Sequence, residues 1–318
     1  MSDVFNAVFD HYRLIKVIGE GELGVVYLAQ HQDDGSFAAC KILRPELAVH
    51  GSAVQQFVYE AKTAAKLNHP NVIKAINAGV SSGHYYFLME YVDGCSLENL
   101  RLNYPELLSI KFLCDRFAEL ADALDHAWCN HLLTHGDIKP ENILISNGTR
   151  HLKLADLGLA RVAVNTAYHS DEIMGTPLYL APELASGSVS KPTVKSDIYS
   201  FGIMFYELVC GEAPFSGSVE ELLTSHVNET PAKVMERNPD VPVKLASFID
   251  SMIAKDPAER PDDWKAIGSF LRSCLVPEED AASRYAEITE TKKKGVAIAV
   301  LVVAAVTAAL IAAVVVLL

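Results

Sequence analysis

The feature that most constrains this chain is a change of pattern near Glu90 to Gly94. Before it, apolar residues alternate over short runs separated by turns; after it, they recur at helical spacing over long segments. Tyr12 to Val49 predicts three antiparallel strands, YRLIKVIG, GVVYLAQH and FAACKIL, with the turn DDGS between the last two. A helix is expected over Val54 to Leu67, then two more strands in VIKAINAGV and HYYFLMEYV. From Ser96 onward the helical patterns are chiefly Ser109 to Asn130, Ser196 to Cys210 and Lys244 to Ile253, with two short hairpin-like runs, NILI and LKLAD, between the first two. The expected class is α+β: a small β-rich lobe joined to a larger helical one, with no internal repeat.

A second feature breaks the globular pattern. Gly295 to Leu318, GVAIAVLVVAAVTAALIAAVVVLL, carries one hydroxyl, Thr307, and no charge. As a helix it would be about 36 Å long, against a hydrocarbon core of about 30 Å. Lys292, Lys293 and Lys294 stand directly before it, and such a cluster marks the cytoplasmic side. A single membrane span is therefore expected over 295–318, with the preceding residues cytoplasmic; the alternative, a helix buried on the main domain, lacks the polar face such helices carry. Nothing follows the span in this sequence, so no sensor domain beyond the membrane is expected. The polar stretch after about Val276, PEEDAASRYAEITETKKK, reads as a juxtamembrane linker over 276–294. The first residues, MSDVFNAVFDHYRLIKVIG, do not have the layout of a signal peptide.

Composition narrows the partners. Half of the 318 residues are apolar, enough for a full core, and the formal charge of -13 comes without a basic block in the soluble part. Nucleic acid is not expected as a partner, since phosphate binding rests on clustered cations. Six scattered cysteines, Cys40, Cys95, Cys114, Cys129, Cys210 and Cys274, have neither the pairing of a disulfide framework nor zinc-ligand spacing.

Several motifs carry chemistry. GEGELGVV, Gly19 to Val26, places glycines at 19, 21 and 24 in a strand-turn-strand, which lets backbone N–H groups approach phosphate oxygens. A strand follows where a dinucleotide-binding motif would have a helix; an ordinary hairpin is the other reading. Lys41 lies in the apolar run FAACKIL, where it needs a partner such as Glu60 on the following helix, or an edge position from which it can reach water. THGDIKPENILI gathers His135, Asp137, Lys139 and Asn142 within eight residues, and Asp156 follows in LKLADLGLA. Phosphoryl transfer needs a carboxylate for the attacking hydroxyl, a cation for the moving phosphate and oxygen ligands for a hard metal ion. Asp137, Lys139, and Asn142 with Asp156 can supply these in turn.

These stretches together resemble a eukaryotic-type, or Hanks-type, serine/threonine protein kinase domain of the bacterial, membrane-anchored kind, over roughly 10–275. The small lobe would be about 10–90 and the large one about 95–275. GTPLYLAPE, SDIYSFG and KDPAERP match the large-lobe motifs in order. The resemblance implies ATP and Mg2+ as cofactors and Ser or Thr hydroxyls of proteins as acceptors, self-association with autophosphorylation included. It implies that Asp137 is the base and Lys139 the γ-phosphate cation. Gly19, Gly21, Gly24 and Val26, Lys41 with Glu60, and the lobe connection Glu90 to Val92 would hold the nucleotide, with Met89 guarding the back of the pocket. Asn142 and Asp156 would hold the metal, Glu183 would pair with Arg260, Asp197 would brace the catalytic loop, and Thr176 would contact Asp137 and Lys139.

Two positions depart from the family pattern. Leu157 replaces phenylalanine in D-F-G, and Gly136 replaces the arginine that clamps a phosphorylated activation loop, so less dependence on phosphorylation at Thr166 or Ser170 is expected; Tyr168 reads as solvated loop. Small-molecule phosphotransferases often carry H-G-D but lack the docking segment GTPLYLAPE. A catalytically dead scaffold would have lost Lys41, Asp137 or Asp156.

Overall fold

The computed structural model describes residues 6–156 and 176–274. The expectations made for the linker 276–294, the span 295–318, Leu157, Thr166, Tyr168 and Ser170 lie outside the described residues.

Strands β1 (Val8–Phe9), β2 (Tyr12–Glu20), β3 (Gly24–His31), β4 (Phe37–Leu43), β5 (Ala75–Ser81) and β6 (His84–Glu90) form one antiparallel sheet in the order β1-β2-β3-β4-β6-β5. Alternation explains its two faces. Leu14, Val25, Tyr27, Ala29, Ala38, Cys40, Ile42, Tyr86 and Leu88 pack together on one, with Phe9 of β1 closing that core. Register puts Val26 opposite Lys41, and Ala39 opposite both Leu28 and Met89, so Val26, Ala39, Lys41 and Met89 share the other face. Strand β1 precedes the domain start expected at residue 10, because a two-residue strand is too short to show a period. Helix α1 (Gly51–Ala64) buries Phe57, Glu60, Ala61 and Ala64.

After β6 the chain passes through Tyr91–Asp93 into a smaller sheet of β7 (Gly94–Ser96), β8 (Ile143–Ser146) and β9 (Leu152–Leu154). NILI and LKLAD thus pair as expected, with β7 added. The helical part comprises α2 (Leu97–Asn103), α3 (Ile110–His131), α4 (Pro182–Ala185), α5 (Val194–Cys210), α6 (Val219–Asn228), α7 (Val234–Arg237), α8 (Val243–Met252) and α9 (Trp264–Ser273). Helix α5 is buried nearly all round and forms the centre, with Phe201 and Phe205 against Phe117 of α3 and Phe201 also against Trp264 of α9. Among the described residues no helix is long and apolar enough to cross a membrane.

Candidate active site

Strand β4 runs between β3 and β6, so Lys41 cannot reach water from a sheet edge, and it is 6% exposed. Its ammonium instead sits 2.6 Å from Glu60 Oε1 and 2.9 Å from Asp156 Oδ1. Burial works against the charge on Lys41, but the Asp156 and Glu60 carboxylates outweigh it and raise its pKa. Two carboxylates share this single cation. Burial pushes Glu60 up to about 7, whereas at Asp156 the pull of Lys41 overcomes desolvation and holds the carboxyl below its ordinary range. Asp156 itself has φ +53.

The glycines do not share one role. Gly21 N–H donates to Gly24 O at 2.8 Å and closes the turn between β2 and β3. At Gly24 a Cβ would come within 2.3 Å of Ile42 O on β4, so packing inside the sheet demands glycine there. At Gly19 and Gly21 the atoms nearest to where a Cβ would stand are 3.9 and 3.8 Å away, so the fold leaves that space open. Of the lobe connection, the Glu90 side chain is taken by Lys153 Nζ at 2.8 Å and by the Lys74 N–H at 3.2 Å, which leaves the backbone of Glu90 to Val92 as the part able to meet a ligand. Met89 lies on the Lys41 face.

The loop after α3 is held from below. Asp197, buried on α5, accepts His135 N–H at 2.6 Å and Gly136 N–H at 2.8 Å. Burial pushes this carboxyl up to about 7 even though both backbone donors favour its charge. Gly136 has φ +79, a left-handed backbone that a Cβ opposes. His135 accepts Asp137 N–H on Nδ1 at 3.2 Å and reaches Ala155 O through Nε2 at 3.3 Å, tying the loop to the residue before Asp156. Asp137 is then held on several sides. Lys139 Nζ lies 2.7 Å from Oδ2, Thr176 donates its N–H and O–H to Oδ1 at 3.1 and 2.8 Å, and Asn142 Nδ2 donates to the Asp137 backbone O at 2.8 Å. Lys139 also donates to Thr176 Oγ1 at 2.8 Å. Asn142 O accepts Ala155 N–H at 2.9 Å, which brings Asn142 beside the segment of Asp156.

Beyond Thr176, Glu183 and Arg260 form a bidentate pair, both contacts 2.8 Å and both residues buried. Arg260 spends its remaining donors on Ala254 O, Lys195 O and Lys255 O, so all five N–H groups are used. Burial would raise the Glu183 pKa; Arg260 lowers it overall. Sequence reasoning missed the other supports of this segment. Tyr179 O–H donates to Glu207 Oε2 at 2.7 Å, and His226 Nε2 meets Leu178 O at 3.0 Å. No local spacing links these residues, and only tertiary packing shows them. A narrow crevice of about 10 Å³, room for one water at most, lies between this segment and the catalytic loop, lined among others by Gly136, Asp137, Thr176, Tyr179, Leu180 and Ser200.

The donors suit a nucleoside triphosphate with a hard cation. Asp156, Asn142 and Asp137 offer oxygen, Lys41 and Lys139 offer cations for phosphate, and the open space at Gly19 and Gly21 leaves backbone free to approach.

Comparison with known proteins agrees. The family model for the protein kinase domain matches residues 12–269. The serine/threonine-protein kinase PrkC of Bacillus subtilis is 35% identical over 86% of this chain and 42% of its own length. A probable serine/threonine-protein kinase PknB of Lactococcus lactis is 34% identical over 80% of this chain and 40% of its own. The chain thus spans about two fifths of the length of these relatives. The kinase domain of Mycobacterium tuberculosis PknI superposes with a TM-score of 0.65 at 24% identity, over 85% of this chain and 98% of that one, and supports the fold. With its family model matched over most of its length, and with strong similarity to Hanks-type kinases of bacteria, the chain belongs to the protein kinase domain family.

Proposed function

We propose that this chain is an ATP- and Mg2+-dependent serine/threonine protein kinase, anchored in a membrane through 295–318 with its catalytic domain on the cytoplasmic side. The observation that carries the reading is the grip on Asp137 by Lys139, Thr176 and Asn142, next to a docking segment locked by Glu183 and Arg260. ATP with Mg2+ would supply the phosphoryl group and neutralise its charge. Lys41, steadied by Glu60, would hold phosphate oxygens; Asn142 and Asp156 would hold the metal, and the backbone of Glu90 to Val92 the base. Asp137 would orient the acceptor hydroxyl and take its proton on a carboxylate oxygen, with Lys139 beside it for charge on the moving group. Lys139 in D-x-K-P-E-N and the Thr176 contact favour Ser and Thr as acceptors. The built docking segment favours a peptide over a small molecule, and the presence of Lys41, Asp137 and Asp156 in one site favours catalysis over a scaffold. Autophosphorylation belongs to the same reading, because copies held in two dimensions meet at raised effective concentration.

The test is transfer of labelled phosphate from ATP to protein by the full chain and by Asp137→Asn. Loss of a general base costs about 10²–10⁴-fold, and a drop of that size is expected. Equal incorporation by both proteins would sink the proposal.

A further inference from the structure

The loop between α1 and β5 is sewn to β9, the strand that leads into Asp156. Asn71 Nδ2 donates to Leu152 O at 2.9 Å, Leu154 N–H to Asn71 O at 2.7 Å, and Ile73 N–H to Leu154 O at 2.9 Å. Asn71 is itself set by His69, whose Nδ1 accepts the Asn71 N–H at 3.2 Å. A backbone N–H can only donate, so this bond requires a lone pair on Nδ1 and hence a neutral ring with its proton on Nε2. The His69 ring packs on that of His126 from α3, centroids 5.2 Å apart, and His131 follows at 5.8 Å from His126. His126 Nε2 is buried without a hydrogen-bond partner among the described residues.

We propose that His69 and His126 form a proton-operated latch between the α1–β5 loop and β9, closed only while His69 is neutral. Protonation turns Nδ1 into a donor facing the Asn71 N–H, and the bond is lost. The new charge also meets the His126 ring, whose Nδ1 lies 3.0 Å from Asn130 Nδ2 and is taken by that amide. The groups around His69 set the working range. His126 and His131 on α3 and Lys153 on β9 are cationic or can become so, and Lys153 is already paired with Glu90 of β6. Asp122 on α3 favours the charge, and Glu119 is engaged by Asn71 and Arg116. Burial, His126 and Lys153 prevail over Asp122, and the His69 pKa is lowered. A histidine depressed in the folded state gives stability that is complete above its unfolded pKa of about 6.5 and is lost as pH falls through the lower folded value. The latch therefore opens on acidification. Asp156 is two residues past Leu154, so opening disturbs the carboxylate that holds Lys41. His69 acts on the site only through this strand, as a positioning residue.

His69→Asn tests it, because an asparagine carbonyl oxygen can accept the same N–H two residues on and does not titrate. In the full chain, kcat/KM for ATP is measured for wild type and variant between pH 7.5 and 5.5. The variant-to-wild-type ratio is expected to rise by about threefold or more as pH falls, and a constant ratio overturns the latch. This arm rests on the kinase reading. Urea unfolding of the same two proteins does not: the wild type is expected to lose more stability than the variant over that range, and parallel curves overturn the latch even if the chain transfers no phosphate.

Discussion

Leu132 ends α3 with φ +53 and ψ +37, a left-handed cap in which L-residues with a Cβ are strained. The cap itself is needed, since Leu132 N–H reaches Trp128 O at 2.8 Å and Leu133 N–H reaches Ala127 O at 3.2 Å. The leucine side chain gains little in return, being 68% exposed. Gly136, four residues on, shows the converse: at φ +79 the backbone is one that glycine adopts without strain. A side chain with a Cβ there would meet a conformational cost, and glycine relieves of it the loop that carries Asp137. Leu132→Gly should remove about 1–2 kcal/mol of strain and lose about 0.5–1 kcal/mol to the freer unfolded chain, a net gain of roughly 0.5–1 kcal/mol. Urea unfolding reads this directly, and a lowered midpoint would show that the Leu132 side chain has a packing role that its exposure hides.

Between elements, the docking segment stands on α5 and α6. His226 of α6 is fully buried, takes the Tyr199 hydroxyl on Nδ1 at 2.9 Å and faces Leu178 O with Nε2. Burial first, then the neighbouring Lys255, push its pKa down to about 4. The folded value lies below the unfolded one, so the contribution is complete above about pH 6.5 and is lost as pH falls towards 4. Across that interval the full effect is about 3 kcal/mol. His226→Gln keeps a donor for Leu178 O without titrating, and it should flatten the fall of stability between pH 6.5 and 4; an unchanged slope would assign the acid sensitivity elsewhere. Such contacts mark where the sequence stops being informative. Lys41, Asp137, Asn142 and Asp156 could be found because phosphoryl-transfer chemistry ties residue types to short spacings, and Glu183 and Arg260 came with the resemblance. His226 with Leu178, Tyr179 with Glu207 and His69 with His126 join distant segments, and no period encodes them. Boundaries slipped for local reasons: α1 begins at Gly51, ahead of the expected Val54, after a His50 cap that makes no side-chain bond. Helix α5 begins at Val194 behind a Thr193–Ser196 capping box that the apolar pattern did not register. At Gly24 the close approach of the Ile42 carbonyl also requires a glycine, a packing constraint that the spacing of the glycines did not show.

At the scale of the whole molecule, the proposed anchor decides what the catalytic domain meets. A domain confined to a surface samples other anchored proteins, further copies included, far more often than soluble ones, so the substrates reached depend on location as well as on the docking segment. The energy available to the anchor can be bounded. Gly295 to Leu318 holds fourteen Val, Ile and Leu residues. At about 0.3–0.6 kcal/mol each they favour insertion by roughly 4–8 kcal/mol, while an aspartate near the centre of a span costs about 3 kcal/mol. The pair Val303→Asp and Val306→Asp therefore removes most of the driving force without touching a residue of the catalytic domain. Wild-type chain expressed in bacteria should stay with the membrane through an alkaline carbonate wash, and the double variant should move largely to the supernatant with its phosphate transfer to a soluble protein unchanged. If the double variant pelleted as the wild type does while remaining active, membrane association would have to come from another part of the chain, and the assignment of 295–318 as the anchor would be wrong.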